Sequence, residues 1–316
     1  MSQHQLYSIQ NLPVFQNKMF ADKASALACP KGDMYLVQDN STGLIFNAAF
    51  DASLLHYDED YQNEQAVSGI FRDHLADVQA IIHRHFADKY LLEVGCGKGY
   101  FLEVLQQAGY NIKGIDPAYQ GDNPSIIKAC FNAESGLNVD ALILRHVLEH
   151  IENPIAFLHA LAEANGGKGQ IYIEVPCFDW IMEHRAWFDI FYEHVNYFRL
   201  ADFQRLFGIV YDSGRVFGGQ YLYVVADLAS FKKPVCSIQD LVTFPSEFLT
   251  DIQHYAILAK NQRTAIWGGA SKGVIFALYL QRAGVTVDCI IDINPAKQNK
   301  FLAGTGLQVQ APEQAI

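Results

Sequence analysis

No stretch of about 18 consecutive apolar residues occurs in the chain, so no segment is a candidate for a membrane-spanning helix. The first residues, Met1-Ser2-Gln3-His4-Gln5, lack the basic stretch and apolar run of a secretory signal. Cysteine is sparse and scattered. Cys29, Cys96, Cys130, Cys177, Cys236 and Cys289 form no Cys-x-x-Cys pair, which argues against a disulfide framework and for reduced thiols in a cytoplasmic protein. Basic residues are also few: 23 Lys and Arg stand against 34 Asp and Glu, a formal net charge of −11, with no basic cluster to offset it. Such a surface excludes nucleic acid and anionic lipid as expected partners. Low-complexity tracts are absent, which argues against long disorder. What is present is 316 residues, half of them hydrophobic, enough for two cores or for one large α/β domain with additions.

The pattern changes along the chain. Residues 1–62 read as an irregular, lid-like segment with short extended stretches at Met34-Tyr35-Leu36-Val37 and Leu44-Ile45-Phe46. From about Asn63 to Phe86, Ile70, Phe71, Leu75, Val78, Ile81 and Ile82 recur at helical spacing. Residues 63–230 then alternate strands and helices. The predicted strands are Tyr90–Val94, Asn111–Ile115, Ile126–Phe131, Ala141–Leu144 and Gln170–Val175; helices follow the first and the fourth. The second of these helices has Asn153 as cap, Pro154 at its first position and Gly166-Gly167 at its end. Apolar strands alternating with helices imply a mostly parallel, Rossmann-like sheet covered on both faces. Ile209–Phe217 and Gln220–Ala226 form an antiparallel hairpin that ends it. Residues 231–316 bring a helix from about Ile238 to Asn261, a strand Thr264–Trp267, a glycine-rich loop, a helix from Val274 and a strand Val287–Ile293. That is half of a second Rossmann-like unit, so the sheet is expected either to be truncated or to have its tail packed on the first domain.

Ligands of open α/β sheets bind beyond the carboxyl ends of the strands. There the sequence places Glu93-Val94-Gly95-Cys96-Gly97-Lys98-Gly99, where Gly95, Gly97 and Gly99 lack the Cβ that would keep a ligand from the backbone. Cys96 reads as a small residue rather than a reactive thiol. The spacing is Glu-x-Gly-x-Gly-x-Gly and not the Gly-x-Gly-x-x-Gly of dinucleotide binders. Asp116 ends the second strand and can accept both hydroxyls of a ribose. An NAD site uses an acid at the same place, and a turn residue before Pro117 is the plainer reading. Asn132, after the third strand, is a candidate for the edge of an adenine.

These residues, with Arg145-His146-Val147-Leu148-Glu149-His150-Ile151 and Glu174-Val175-Pro176, resemble class I S-adenosylmethionine-dependent methyltransferases. Tyr192-Glu193-His194-Val195-Asn196-Tyr197-Phe198 resembles, more narrowly, the Glu-His-x-x-Tyr-Phe segment of sugar C-methyltransferases. Trp267 to Gly273 and Asp292-Ile293-Asn294-Pro295 resemble the C-terminal domain of that family. The resemblance implies S-adenosylmethionine as cofactor, with Glu93 at its amino-acid part and Arg145 and His146 among its contacts. It implies a small-molecule substrate, a nucleotide-linked 4-keto sugar or related carbohydrate methylated on carbon; the alternative readings are an O- or N-methyltransferase of a small metabolite and a non-catalytic cofactor-binding protein with the same fold. Removing a proton beside a ketone calls for a base poised near neutrality. His194 matches that base, Glu193 would orient it or touch the sugar, and His150 would stabilise the enolate oxygen. Tyr192, Tyr197 and Tyr61, with its neighbours Tyr57 and Asn63, would line the pocket, and Lys272 would meet a phosphate from the second glycine loop, unless that loop is only a tight turn.

The sequence departs from the family in two places, the N-terminal segment and Tyr192, which stands where the family pattern often has His before Glu-His. Gln16, Asp39 and Thr42 stand where the family carries zinc-binding cysteines, so no zinc site is expected there. His146, Glu149 and His150 lie one helical turn apart, but no further ligand follows at a convincing spacing, so no metal is expected at this loop either.

Overall fold

The computed structural model describes residues 3–55, 68–131, 134 and 136–315. Two extended stretches read from the sequence are the buried centres of paired strands. β1 (Gln3–Pro13) pairs antiparallel with β3 (Lys31–Asp39), and β3 pairs with β4 (Ile45–Asn47). The short β2 (Met19–Phe20) and helix α1 (Lys23–Leu27) lie between them. β1 leaves little trace in the sequence because only Tyr7, Leu12 and Pro13 of its side chains are buried. Where the related family carries cysteines, Asp39 closes a turn, its Oδ1 accepting from the backbone N–H groups of Ser41 at 2.9 Å and Thr42 at 2.7 Å.

Helix α2 (Gly69–Phe86) buries Phe71, Leu75, Val78, Ile81, Ile82 and Phe86, and with them His74; Ile70 points to solvent. Next come β5 (Tyr90–Val94), α3 (Tyr100–Gln107), β6 (Asn111–Ile115), β7 (Ile126–Ile127), β8 (Ala141–Arg145), α4 (Pro154–Ala164) and β9 (Gln170–Pro176). Asn153 caps α4, its side chain accepting from Ala156 N–H at 3.0 Å. β7 is shorter than its apolar run. Ala129 N–H bonds back to Ile127 O at 3.0 Å and turns the chain away from the sheet. After α5 (Phe178–Glu183), β10 (Asn196–Tyr197) pairs with β4, and α6 (Leu200–Leu206) leads into the hairpin of β11 (Val210–Val216) and β12 (Tyr221–Asp227).

The central sheet has the order β11-β12-β9-β8-β5-β6-β7. Its strands β5, β6, β7, β8 and β9 run parallel; β12 is antiparallel to them, and β11, antiparallel to β12, runs in their direction again. β8 and β9 are buried along nearly their whole length, as strands covered on both faces must be. This is the class I methyltransferase arrangement of an α/β sheet with an antiparallel last strand.

The predicted helix from Ile238 is only α7 (Thr250–Ala259). Ahead of it Ser237 and Asp240 close a short capped turn through bonds of 2.7 and 2.8 Å to Asp240 Oδ2, and Pro245 follows. β13 (Ala265–Trp267), α8 (Lys272–Arg282), β14 (Cys289–Ile291), β15 (Phe301–Leu302), β16 (Val309–Gln310) and α9 (Pro312–Ala315) complete the chain. β13, β14 and β16 form a three-stranded parallel sheet. This part shares a core with the rest of the chain. Phe276 and Tyr279 of α8 lie 4.9 Å from the ring of Trp187, in one core with Tyr7, Leu12 and Tyr192. β15 also pairs with β2, so the two ends of the chain are joined by strand pairing.

Tyr192 pins the N-terminal strands to this core. Its ring stacks on Phe50, its hydroxyl accepts from Asp51 N–H at 2.8 Å, and its Cε2 sits 2.2 Å from where a Cβ at Gly32 would lie. Gly32→Ala is therefore expected to lower unfolding stability by about 1–3 kcal/mol, the usual range for overpacking. Urea denaturation measures this, and an unchanged midpoint would contradict the packing.

Candidate active site

The loop after β5 is built by its glycines. Gly95, Gly97 and Gly99 have φ of 76°, 57° and 82°, where a side chain is strained. Gly95 and Gly99 are also required by packing: a Cβ would stand 2.4 Å from Val147 Cγ2 and 2.4 Å from Ile126 Cδ1 respectively. Gly97 differs, because a Cβ there meets nothing within 4 Å. Its N–H donates to Asp116 Oδ2 at 2.8 Å, while Asp116 Oδ1 accepts from Ala118 N–H at 2.8 Å. Asp116 thus closes its own turn and also holds the loop across two strand ends. Burial pushes the Cys96 thiol up, with Glu93 and Asp116 adding to the effect, so it is no nucleophile.

Glu93 is buried and Oε2 finds no hydrogen-bond partner among the described residues. Burial pushes its carboxyl up to about 7 against the pull of Arg145. An acid held so close to ionisation, with a lone oxygen, suits a cationic ligand group.

Beneath the loop lies a cluster of buried charge. Glu174 Oε1 accepts from Arg145 at 3.0 Å, lies 3.0 Å from His74 Nε2 and forms an ion pair with His146 Nε2 at 3.0 Å. Oε2 accepts from the Tyr172 hydroxyl at 2.7 Å. Burial would raise the Glu174 carboxyl, but Arg145 and the two imidazoles outweigh it and hold it well below the usual carboxylate range. His146 has φ of 53°, and its bonds to Glu149 and Glu174 overcome burial and raise it to about 9. Arg145 and His146, expected at the cofactor, therefore spend their charge on Glu174. His74 was missed by sequence reasoning; its only signal is a histidine on the apolar stripe of α2.

The acceptor-side residues come together from two segments. His150 Nδ1 is 2.7 Å from the carbonyl oxygen of Glu193, and the rings of His150 and His194 are 5.0 Å apart. His194 is buried against Phe191 at 4.0 Å, and its Nδ1 has no hydrogen-bond partner among the described residues. Burial first, then the neighbouring His150, His146 and Lys272, hold His194 well below its ordinary value, so it is neutral. Glu149 is buried as well, with Oε1 at 3.3 Å from His146 and Oε2 without a hydrogen-bond partner.

Other expected residues do different work. The Glu193 carboxylate accepts from Gln16 N–H at 2.8 Å and so holds the N-terminal segment. Tyr197 closes the turn 191–197, accepting from Phe191 N–H at 3.1 Å and donating to Phe191 O at 3.2 Å. Tyr192 is enclosed in the core described above instead of lining a pocket. Lys272 reaches back to Asp189 at 2.8 Å and Gln220 at 2.5 Å, across the Trp180 ring, because a buried carboxylate lies within its reach there. Tyr57, Tyr61, Asn63 and Asn132 lie outside the described residues.

The second glycine loop repeats the geometry of the first. Gly268 N–H donates to Ile291 O at 2.7 Å as Gly95 N–H does to Ile115 O at 2.8 Å. Gly269 N–H donates to Asp292 Oδ2 at 2.7 Å, and Asn294 N–H to Asp292 Oδ1 at 2.8 Å. Here, however, Lys297 is buried 3.6 Å from Asp292.

Residues 57–208 match the family model of a methyltransferase domain. The C-methyltransferase NovU of Streptomyces niveus is 22% identical over 267 residues, 71% of this chain and 63% of that protein. The ubiquinone biosynthesis O-methyltransferase of Saccharophagus degradans is 32% identical over 104 residues, 27% of this chain and 43% of that protein. The chain thus spans less than two thirds of the length of either relative. Among solved structures, the Burkholderia thailandensis 1,6-didemethyltoxoflavin-N1-methyltransferase with bound S-adenosylhomocysteine aligns at a TM-score of 0.38 and 15% identity, over 50% of this chain and 80% of that one.

The charge cluster makes a direct prediction. Glu174→Gln removes the counter-charge of a buried guanidinium and is expected to cost about 3–5 kcal/mol. Chemical denaturation checks it, and a loss within about 0.5 kcal/mol, as for a surface change, would contradict the cluster's role.

Proposed function

We propose that the chain is an S-adenosylmethionine-dependent methyltransferase that acts on a small molecule. The observation that carries this reading is the bare backbone at Gly97, beside a buried unpartnered Glu93 oxygen and the Asp116 carboxylate. The match of residues 57–208 to a methyltransferase domain supports the same reading. The cofactor is S-adenosylmethionine. Glu93 holds its ammonium group, Asp116 offers its remaining lone pairs to the ribose hydroxyls, and the Gly97 backbone lies along the ligand. Bound there, the cofactor supplies a methyl group on a sulfonium. The chain's own part is to align the acceptor with that methyl and to deal with the acceptor's proton.

Neutral His194 is the group suited to receive that proton. His150, aimed by the Glu193 carbonyl, meets the acceptor's oxygen. Glu193 acts as a positioning residue, joined to His150 by its backbone and to Gln16 by its side chain.

The favoured acceptor atom is oxygen or nitrogen of a small metabolite. Supporting it are the relatives named as ubiquinone biosynthesis O-methyltransferases, at 26–32% identity over about a quarter of this chain. The second reading is C-methylation of a nucleotide-linked keto sugar. The C-methyltransferase match over 71% of the chain and the segment Tyr192 to Phe198 favour it.

Two measurements test this. Because a Cβ at Gly97 meets no protein atom, Gly97→Ala is expected to cost only the backbone strain of about 1–2 kcal/mol in stability. It should weaken S-adenosylmethionine binding by about tenfold or more in calorimetry, equivalent to about 1.4 kcal/mol. Unchanged affinity would place the cofactor elsewhere. With 13C-methyl-labelled cofactor, NMR of the product from a panel of phenols, amines and 4-keto sugar nucleotides assigns the acceptor atom. A methyl on oxygen or nitrogen is expected. A methyl on carbon, with deuterium exchange beside the ketone, would select the second reading.

A further inference from the structure

The loop after β8 and the turn 191–197 bring together a third donor that sequence spacing does not show. Glu149, His150 and His194 each offer one ligand atom, and the three lie within 4.8 Å of one another. We propose that these three side chains hold a divalent transition-metal cation, of zinc-like preference, on the acceptor side of the site, with its open position facing an oxygen of the acceptor. The proposal rests on the methyl-transfer reading for the purpose of the ion, but not for its existence.

The donor set is chemically apt. Two imidazoles and one carboxylate are the protein ligands of an open, catalytic type of zinc site. Ligand bonds of about 2.0–2.2 Å in a tetrahedron put donors about 3.3–3.6 Å apart, so atoms within 4.8 Å of one another close by about 1.5 Å at most. The second layer is also in place. The His150 Nδ1–H donates to the Glu193 carbonyl at 2.7 Å, which fixes the tautomer and leaves a lone pair on Nε2. A metal-ligating histidine characteristically spends its other nitrogen in this way.

The buried atoms need such a partner. Glu149 Oε2 and His194 Nδ1 are both buried without a hydrogen-bond partner among the described residues. Leaving a buried polar atom unsatisfied is unfavourable, and one cation within reach of both residues removes that cost.

A second group of the same composition gives the contrast. His74, His146 and Glu174 are as closely set, but the Arg145 guanidinium already sits 3.0 Å from the same Glu174 oxygen. A cation there would face a fixed positive charge at close range. At the acceptor-side cluster the positive neighbour is His146, 3.3 Å from Glu149 Oε1, and Glu149 Oε2 is left for an ion.

The test uses the full chain, stripped with a chelator and titrated with cobalt(II), followed by its visible absorption. The expected result is one equivalent bound, with the band intensity of four- or five-coordinate cobalt. Glu149→Ala and His194→Ala should each weaken binding tenfold or more, whereas His159→Ala, at an exposed histidine on α4, should leave it unchanged. Calorimetry with S-adenosylmethionine on each variant separates a lost ligand from a lost fold. Should the variants not fold, X-ray absorption of the zinc-loaded wild type decides: two imidazole donors and a carboxylate are expected. Absence of a stoichiometric site, undiminished binding in the folded Glu149 and His194 variants, or a shell of water oxygens alone would overturn the proposal. Failure here together with intact methyl transfer would leave direct proton transfer to His194 standing. Loss of cofactor binding in the wild type would instead defeat the methyl-transfer reading, whatever the cobalt result.

Discussion

The carboxylate of Glu174 is the point on which the rest of the site depends. It ends β9, and through Arg145 it fixes the end of β8, through His74 the helix α2, and through His146 the loop that leads to Glu149 and His150. Burying so many charged groups is unfavourable unless each is paired, so their positions are mutually determined. The cofactor loop rests on this platform by way of Glu93, whose field comes from Arg145, and by way of Val147, which packs where a Gly95 side chain would be. A change at Glu174 therefore propagates to both halves of the site without touching a ligand.

The acceptor half is assembled from segments remote in sequence. The stretch from Ala186 to Phe198 is buried almost throughout, with the N-terminal strands on one side and α8 on the other. Gln16 bonds the Glu193 side chain, Asp51 bonds Tyr192, and Lys272 bonds Asp189. Each end of the chain thus acts on the same short segment that carries His194. The geometry of the two imidazoles is consequently a property of the whole chain and not of the central sheet alone.

The parallel sheet was legible because its strands announce themselves. Tyr90–Val94 is a mostly apolar run closed by Gly95, Asn111–Ile115 alternates exposed and buried residues ahead of Asp116-Pro117, and the ends of both agree with the structure to the residue. Asn153 and Pro154 marked α4 through local chemistry that needs no tertiary context. What stayed hidden depends on long-range contacts. β1 is polar on its exposed face and is recognisable only beside β3. The region after Ile238 shows helical spacing, but its capped turn and Pro245 end the pattern. Of the site, the glycine loop and Asp116 were visible as motif residues. The roles of Arg145, His146, Tyr192, Tyr197 and Lys272 were not, since nothing local shows that Glu174, Phe191, Asp51 and Asp189 are their partners. The joining of His194 to Glu149 and His150 spans more than forty residues and has no sequence signature.

Two loops in this chain share one hydrogen-bond pattern, Gly97 with Asp116 and Gly269 with Asp292, and among the described residues it is the first that lies beside an unpartnered buried acid, Glu93. The central claim is that this first loop is the cofactor site. A crystal structure of the chain with S-adenosylhomocysteine tests it directly. The account predicts the amino group of the ligand at Glu93, its ribose hydroxyls on Asp116 and its backbone-facing edge along Gly97. Ligand density at Gly268 to Gly273 with its ribose on Asp292, and none at Gly97, would contradict it.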